Sequence, residues 1–491
     1  MSPQTKSVLH DLGGILYAPG LIALSTIVVA LVAGEHDLVP ELGVTAALSL
    51  GTGWGLRRLC RVDEPDLRSP LEAVTVAVAW IACAVLAAIP LYLAAHDAPV
   101  TDTLAVFRDP WNALFESMSA LTSTGLSMAP DPSALPRALQ WWRTVLEWVG
   151  GMGVVILALT FLESYAAHDD LLAGEINVAE FAEQAEHPAR RLWTVYSVLS
   201  VVCIGGFWAA GMPLWEAVNH GLAGIATGGF TVTSDGFQSY GPAIKAVGIG
   251  VMVLGGMDFA LHARIAFEQD WFCFAKDAQT RGLMIGLVGG GLLLVGVTTL
   301  QDDGGTALDA AFLWASALAT CGFSSVDLPS WSPAALFLLT AAMFVGAAAG
   351  STGGGLKIRR VAVLLKTVVW QVRKRDDLRE RRYLYEGEAL DDSKAFELVR
   401  QAATLAVAFM VSLVIGTLAL MLTVDGRSGL DLLFEAASAL GAVGLSSDVT
   451  GPDLAATPKA VLITLMWLGR LEVMAALMIV VAALDRFRSD G

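Results

Sequence analysis

The chain has 491 residues, of which 55% are hydrophobic and only 16% are charged. Its mean hydropathy of +0.61 excludes a soluble domain of this size. The net charge of −16 argues against a nucleic-acid partner. Apolar stretches of about 20 residues, enough to cross a bilayer as helices, recur throughout, whereas barrel strands would be shorter and alternating. We therefore predict an all-α membrane protein in contact with membrane lipid.

Apolar periodicity predicts ten spanning helices along the chain. They are 8–33, 38–57, 72–96, 139–162, 192–211, 242–264, 281–300, 333–370, 398–422 and 459–485. The first stretch lacks an A-x-A-like cleavage site, so we expect it to be retained as a helix. The first two helices lie outside the repeats described below and are interpreted as a scaffold, residues 1–71.

Basic residues concentrate in alternate connections between these helices. Counted from a cytoplasmic N-terminus, the inner connections hold Arg57, Arg58, Arg61, Arg68, Arg190, Arg191, Arg264, Lys276, Arg281 and a run from Lys357 to Lys394. The outer connections hold few basic residues and many acids, such as Asp302 and Asp327. This distribution obeys the positive-inside rule and places four shorter, half-apolar segments on the outer side.

Those four segments are copies of one another. They read FESMSALTSTGLS, NHGLAGIATGGFT, FLWASALATCGFS and FEAASALGAVGLS, aligned on Gly125, Gly229, Gly322 and Gly444. At one fixed distance before each glycine stand Asn112, Glu216, Asp309 and Asp431, which are predicted to cap short helices. Each copy lies between two spanning helices, so the fold is predicted as four tandem units of helix, pore helix, filter loop and helix around one pseudo-fourfold pore. The predicted units are 72–168, 169–275, 276–394 and 395–491.

The loops that end these segments are predicted to form a selectivity filter. Backbone outside helices is tolerable at membrane depth only when it is buried or lines a watery path, so four equivalent loops must meet. Glycine lets successive carbonyls face the axis and replace an ion's hydration shell. A single copy could instead serve tight helix packing, but four copies in register favour the filter. The predicted ion-binding residues are Ser123, Thr124, Gly125, Thr227, Gly228, Gly229, Thr320, Cys321, Gly322, Ala442, Val443 and Gly444.

The four loops, together with GSTGGGLK at 350–357 and LGRLE at 468–472, resemble the Trk/Ktr/HKT superfamily of potassium transporters, and its TrkH branch most closely. The resemblance implies potassium uptake across a bacterial inner membrane, with potassium ions at the filter residues and a homodimer. In that family, serine in the first filter is associated with sodium transport in some plant members, and this chain has Gly125 there. None of the loops matches the TVGYG string of potassium channels.

The resemblance also implies a gate beneath the filter. The small residues GAAAGSTGGG at 346–355 interrupt the predicted helix 333–370, as an intramembrane loop does in the family, although a glycine-rich helix crossing is an alternative. Arg470 lies within the last predicted span, where a charge is costly. By resemblance it adds an electrostatic barrier, and the alternative is a structural pair with an acid such as Glu472. The predicted gate residues are Gly346, Gly350, Ser351, Thr352, Gly353, Gly354, Gly355, Lys357 and Arg470.

A basic stretch follows the predicted gate. It includes Arg373, Lys374, Arg375, Arg379, Arg381 and Arg382. These residues either obey the positive-inside rule alone or bind a cytosolic regulator, which the resemblance identifies as a TrkA-like nucleotide-binding subunit. No nucleotide-binding motif occurs in this chain, which fits control by a separate subunit.

An enzyme and a coupled symporter are the two alternatives to a channel-like pore. No nucleophile and base pair, paired histidine ligands or C-x-x-C motif occurs, so the sequence predicts neither an enzyme nor a cofactor of its own. A proton- or sodium-coupled cation symporter of the same architecture stays an alternative. Such transporters usually carry ionisable groups near the midplane and inverted or twofold repeats, whereas these repeats are fourfold and parallel.

Overall fold

The computed structural model describes residues 3–60, 71–97, 102–166, 188–374, 383–385, 388–390 and 392–471. The described chain is helical apart from one antiparallel hairpin of Tyr383–Tyr385 and Glu388–Leu390. Five of the described helices are long and apolar enough to cross a membrane, or six if one bent pair counts as a span. The prediction of an all-α membrane protein is confirmed.

The N-terminal scaffold consists of Pro3–Ile15, Tyr17–Ala33 and Val39–Leu59, joined by the short turn His36–Leu38. The first predicted span is divided at Leu16, whose carbonyl accepts a hydrogen bond of 2.6 Å from the Ser49 hydroxyl. At the other end, the Glu35 carboxylate accepts the backbone amides of Arg137 and Ala138 at 2.7 and 2.9 Å. The scaffold therefore caps the first residues of a helix in the first unit.

Each of the four predicted units contains an outer helix, a short pore helix and an inner helix. The outer helices are Leu71–Asp97, Pro188–Ala209, Ala278–Gln301 and Asp392–Met421. The pore helices are Pro110–Leu121, Leu214–Ile225, Ala307–Leu318 and Gly429–Leu440. The inner helices are Arg137–Ala166, Pro242–Gly256 continued by Phe259–Glu268, Pro333–Val345 continued by Ile358–Lys374, and Ala456–Arg470.

Short elements complete the connections between these helices. They are the helices Asp102–Ala105 and Cys273–Lys276 and the turns Val106–Arg108, Pro132–Ala134 and Leu328–Ser330. The last predicted span continues beyond the described residues at 472–485. The exact unit boundaries stay a prediction.

Two inner helices depart from a straight span. In the second unit the predicted helix 242–264 is wrong, because the chain bends by 92° between Gly256 and Phe259. The Asp258 side chain accepts the Ala260 amide at 2.9 Å and so starts a new helix there. In the third unit the helix ends at Val345 and resumes at Ile358, so the interruption expected from the small residues is present.

The caps of the pore helices match the sequence prediction in two units only. Asp309 and Asp431 are each the acidic partner in a capping box, with Thr306 and Ser428 as the first cap residues. In the first unit, Asp109 caps the helix instead of Asn112, whose amide donates to the Val106 carbonyl at 2.8 Å.

In the second pore helix the cap position is Pro213, without a side-chain cap. Glu216 there accepts the Tyr240 hydroxyl and caps nothing. The capping prediction is therefore wrong for Asn112 and Glu216. A fixed distance from the filter glycine does not fix the first residue of the helix, because each helix begins at its own proline or cap residue.

Ion pairs join neighbouring units near the outer ends of the pore helices. Lys245 of the second inner helix contacts Asp309 of the third pore helix at 2.7 Å. Lys459 of the fourth inner helix contacts Asp109, the cap of the first pore helix, at 3.1 Å. Because the second pair joins the last unit to the first, the units are arranged in a closed ring.

Candidate selectivity filter and gate

The four filter loops share one backbone conformation. The residues Ser123, Thr227, Thr320 and Ala442 have φ between 49° and 54°, and the aligned glycines have φ between 88° and 97°. Non-glycine residues seldom adopt positive φ. In each loop, the amide just before the glycine donates back to a carbonyl in the last turn of the pore helix at 2.8–2.9 Å. Side chains as different as threonine, cysteine and valine therefore follow the same path.

The filter glycines pack against one another in a cycle. A Cβ atom at Gly125 would overlap the Gly228 carbonyl oxygen, and one at Gly229 would overlap that of Cys321. In the same way, Gly322 faces the Val443 carbonyl, and Gly444 faces that of Thr124. The contacts run from the first unit to the fourth and return to the first. The structure thus brings all twelve predicted filter residues together in one ring.

Buried polar side chains in the pore helices hold the chain just after each filter glycine. Glu116 accepts the Met128 amide at 2.7 Å, and Glu435 accepts the Ser447 amide at 3.1 Å. His220 accepts the Val232 amide at 3.4 Å. In the third unit this position is occupied by Leu313, and the Ser325 hydroxyl donates to Asp309 at 2.8 Å instead. These contacts were not predicted from the sequence, although the matching Phe-Glu pairs in the first and fourth copies indicated them.

The first inner helix holds the second filter loop with two ionisable side chains that were not predicted as site residues from the sequence. Arg143 forms an ion pair of 2.6 Å with Glu116, and its guanidinium lies over the Phe230 ring, 4.0 Å from the centroid. Glu147 accepts the Phe230 amide at 3.1 Å. Both side chains are buried. Their position within an apolar span could have identified them from the sequence, because ionisable residues in such spans usually face a partner or a cavity.

The segment 346–357 forms a loop against the inner ends of the filter loops. It begins at Gly346, whose φ of 74° ends the preceding helix. The Thr352 hydroxyl donates to the carbonyls of Ile225 and Gly255, each at 3.0 Å. The Gly354 amide donates to the Thr320 hydroxyl at 2.6 Å, and Lys357 donates to the Gly353 carbonyl. The loop is therefore held by the second and third units together.

Other predicted gate residues take part in the same loop. The Gly350 carbonyl accepts the Phe259 amide at 3.0 Å, just after the 92° bend. The Ser351 hydroxyl donates to the Ala348 carbonyl at 2.6 Å. A Cβ atom at Gly354 would overlap the Gly441 carbonyl, and one at Gly355 would lie 2.6 Å from the Gly346 Cα. These contacts extend the loop's support to the fourth unit.

Arg470 connects the loop to the first unit. It is only 4% exposed and donates to the Thr352 carbonyl at 2.8 Å, the Gly150 carbonyl at 2.7 Å and the Ser123 hydroxyl at 3.3 Å. Within the described ranges its hydrogen-bond acceptors are thus neutral oxygens. Glu472, the acid considered as its partner, lies outside the described residues. All nine predicted gate residues meet in one place directly beside the filter.

A cavity lies beside the loop. Its lining includes the glycines 353–355, the apolar side chains of Leu405 and Phe409, and the basic residues Lys357, Arg360 and Arg470. Three positive charges therefore surround this cavity. A cation at this point experiences repulsion, which is strong where water is limited.

The basic stretch after the loop is described only in part. The helix that follows the loop ends at Lys374, whereas Arg375, Arg379, Arg381 and Arg382 lie outside the described residues, as do Arg61 and Arg68. Among the described residues, no group of histidine, cysteine or acidic side chains has the arrangement of a metal site. The carbonyl-lined ring of loops is thus the candidate ion site on which a function can be argued.

A multi-pass helical protein that closes four backbone loops into one ring belongs, by fold and site, to the membrane transport proteins and not to the enzymes. The profile of the TrkH family, described as a cation transport protein, matches residues 45–285 and 293–487. The chain therefore belongs to the TrkH family. The resemblance predicted from the filter and loop motifs is confirmed.

Relatives and a solved structure agree with this assignment. The chain is 28% identical to the Trk system potassium uptake protein TrkH of Halomonas elongata, over 98% of this chain and 99% of that protein. It is 27% identical to an uncharacterized cation transporter of Methanocaldococcus jannaschii, over 96% and 95% of the two chains. The crystal structure of the potassium transporter TrkH from Vibrio parahaemolyticus matches with a TM-score of 0.82 and 25% identity, over 97% of this chain and 98% of that chain.

Proposed function

We propose that the protein takes up potassium ions across the cell membrane through the ring of four filter loops. The observation that carries the proposal is the cyclic packing of Gly125, Gly229, Gly322 and Gly444 on the carbonyls of the next loop. A closed ring of backbone carbonyls can replace the hydration shell of a cation of matching size. The carboxyl ends of the four pore helices lead into these loops, so their partial negative charge favours the ion.

Potassium is proposed as the ion on the strength of the relatives. The proteins of Halomonas elongata and Vibrio parahaemolyticus that resemble this chain carry potassium in their names. All four aligned filter positions hold glycine in this chain. The proposed location is the inner membrane of a bacterial cell.

The loop 346–357 and Arg470 are proposed as the gate of this path. The hydrogen bonds of Thr352, Gly354 and Arg470 hold the loop against three filter units and the first inner helix. In this position the loop obstructs the path, and the guanidinium opposes a cation in transit. Opening then requires the loop to break these hydrogen bonds. A partner that binds the open state more tightly than the closed state can therefore open the path.

The proposed partners are a second copy of the chain and a cytosolic TrkA-like nucleotide-binding subunit. The relative from Halomonas elongata is named as a protein of a Trk system, which supports a complex of more than one protein. The helix after the gate loop, Ile358–Lys374, continues toward the basic stretch. A regulator that binds there can pull on the loop through this helix.

Reconstitution into liposomes tests the transport function directly. Flux is measured under separate gradients of potassium, sodium and protons. Potassium flux that exceeds sodium flux and follows the potassium gradient alone supports the proposal. Flux that requires a proton or sodium gradient supports the coupled symporter, and the absence of potassium flux from folded protein overturns both.

A further inference from the structure

Glu147 is a buried carboxylate directly behind the second filter loop. It is fully buried, and one of its oxygens accepts the Phe230 amide at 3.1 Å. The other oxygen, Oε2, is enclosed and has no hydrogen-bond partner among the described residues. The neighbouring Arg143 is paired with Glu116 instead. Burying a carboxyl group with one oxygen unpaired costs free energy. We therefore expect Glu147 to have a function that offsets this cost.

The position of Glu147 is repeated in other units but is occupied differently. A glycine of the inner helix packs on the carbonyl of the last pore-helix residue at Gly150, Gly255 and Gly469. Three residues before these glycines stand Glu147, Met252 and Met466, all fully buried. Two units therefore fill this position with an apolar side chain, and the first unit alone of these three has a carboxyl group there.

The second filter loop has a matching exception. The residue before the filter glycine is Thr124, Cys321 or Val443 in the other loops and Gly228 in the second. A Cβ atom at Gly228 would lie 2.6 Å from the Glu147 carboxyl carbon. Gly228 does not have positive φ, so its backbone conformation is open to other residues. The carboxylate of the neighbouring helix thus occupies the space that a filter side chain takes in the other loops.

From this complementarity we propose that Glu147 is a positioning residue for the second filter loop and sets the cation affinity and selectivity of the ring. The inference rests on the proposed function of the loops as a cation filter. The carboxylate fixes the Phe230 amide on one side of Gly229 and packs on Gly228 on the other. The Gly228 carbonyl in turn packs on Gly125 of the first loop. The carboxyl group lies behind carbonyls that are proposed to face the ion, so its position sets how closely they approach a cation of a given size.

Three substitutions separate the hydrogen bond from the shape. Glu147→Gln keeps the shape and an acceptor oxygen for the Phe230 amide, so we expect the half-saturating potassium concentration and the ratio of potassium to sodium flux to stay within about twofold of their original values. Glu147→Met introduces the residue that the second and fourth units have at this position and removes the acceptor. We expect it to lower the ratio of potassium to sodium flux about tenfold, because the buried Phe230 amide loses its partner. Met252→Leu is the matched control at the same register and should change neither quantity.

A double-mutant cycle tests the shared space. Gly228→Ala alone places a methyl group against the carboxylate and should lower selectivity. In a Glu147→Ala background that space is vacant, so the double variant should be less impaired than the sum of the single variants. If the effects of the two substitutions on selectivity are additive, the packing of Glu147 on Gly228 does not contribute to selectivity.

Liposome flux, normalised to folded protein, decides the outcome. An unchanged ratio of potassium to sodium flux in Glu147→Met overturns the role of Glu147, whether or not the amount of folded protein falls, because the residue is then structural at most. If the unmodified chain prefers another cation, the potassium function fails, and the same comparison made with that cation still decides the role of Glu147.

Discussion

The filter and the intramembrane loop both contain irregular backbone at membrane depth, but they are fixed by different means. In the filter, four loops of one conformation pack glycine against carbonyl around a ring. The loop 346–357 occurs once and is held by side chains, chiefly Thr352, Thr320 and Arg470. The first region depends on backbone sterics, and the second on hydrogen bonds that can be exchanged.

On the proposed function, this difference separates selectivity from gating. The contacts between glycines and carbonyls leave no space for a larger side chain, so we expect changes in the filter to alter which ion fits. A neutral hydrogen bond contributes about 1 kcal/mol net, and one made by a charged guanidinium about 1.5–3 kcal/mol. Leaving its place is thus expected to cost the loop several kcal/mol. We therefore expect filter substitutions to change the ion preference and loop substitutions to change the flux.

The largest effect is expected for Gly125→Ser. A Cβ atom there overlaps the Gly228 carbonyl, and φ is 88°, so the residue is strained and the carbonyl must move. The ratio of potassium to sodium flux should fall about tenfold or more. Gly451→Ser is the control, because nothing lies within 4 Å of its added Cβ. An unchanged ratio in a well-folded Gly125→Ser protein would remove Gly125 from the filter.

The next effect is expected for Arg470→Ala. Removal of the positive charge beside the loop should raise basal potassium flux about tenfold, without a change in ion preference. The amount of folded protein should fall, because the Thr352 and Gly150 carbonyls lose a buried donor.

Arg470→Lys separates the charge from the hydrogen bonds. Lysine keeps the charge but cannot reproduce the planar arrangement of donors. Basal flux near the original level in Arg470→Lys assigns the barrier to charge. Flux per folded molecule that does not rise in Arg470→Ala would contradict the gate.

A smaller effect is expected for Thr352→Val. The change keeps the volume and removes hydrogen bonds to the Ile225 and Gly255 carbonyls, so basal flux should rise about threefold. Combined with Arg470→Ala, the effect should be less than additive, since both changes release the same loop. Thr340→Val is the control, because Thr340 bonds only within its own helix, to the Leu336 carbonyl. Full additivity would indicate two independent barriers.

The smallest effect is expected for Ser428→Ala in the cap of the fourth pore helix. Loss of the capping box with Asp431 should lower the free energy of unfolding by about 1 kcal/mol. Flux and ion preference should stay unchanged, because the cap lies at the far end of the pore helix from the filter. Thermal unfolding in detergent measures the change. The control is Thr464→Ala, an exposed hydroxyl that bonds within its helix. Altered selectivity in Ser428→Ala would show that the filter is not fixed by its own sterics.

The sequence was sufficient for the regions that repeat. Four copies aligned on Gly125 and its equivalents predicted the four short helices and the meeting of the loops that follow them, because similar sequences adopt similar local structure. The role of these loops as an ion filter stays a prediction. The small residues at 346–355 predicted the broken helix, since consecutive glycines cannot maintain a span. Each of these predictions needed only local pattern and topology.

Features that depend on one contact between distant segments were not predictable. Glu147 and Gly228 complement each other across two units, and the equivalent positions compared in the other units hold different residue types. The bend at Asp258 depends on a loop nearly a hundred positions later, since Phe259 donates to the Gly350 carbonyl. The capping of the first inner helix by Glu35 depends on the scaffold. A periodic pattern carries no information about such pairings.

The ring closes between the last unit to be synthesised and the first. Lys459 contacts Asp109 across 350 positions, and Arg470 contacts Ser123 across 347. During translation the first three units enter the bilayer before their final neighbour exists, and Gly444 reaches Thr124 only near the end of synthesis. A prematurely terminated chain therefore lacks both the complete ring and the arginine.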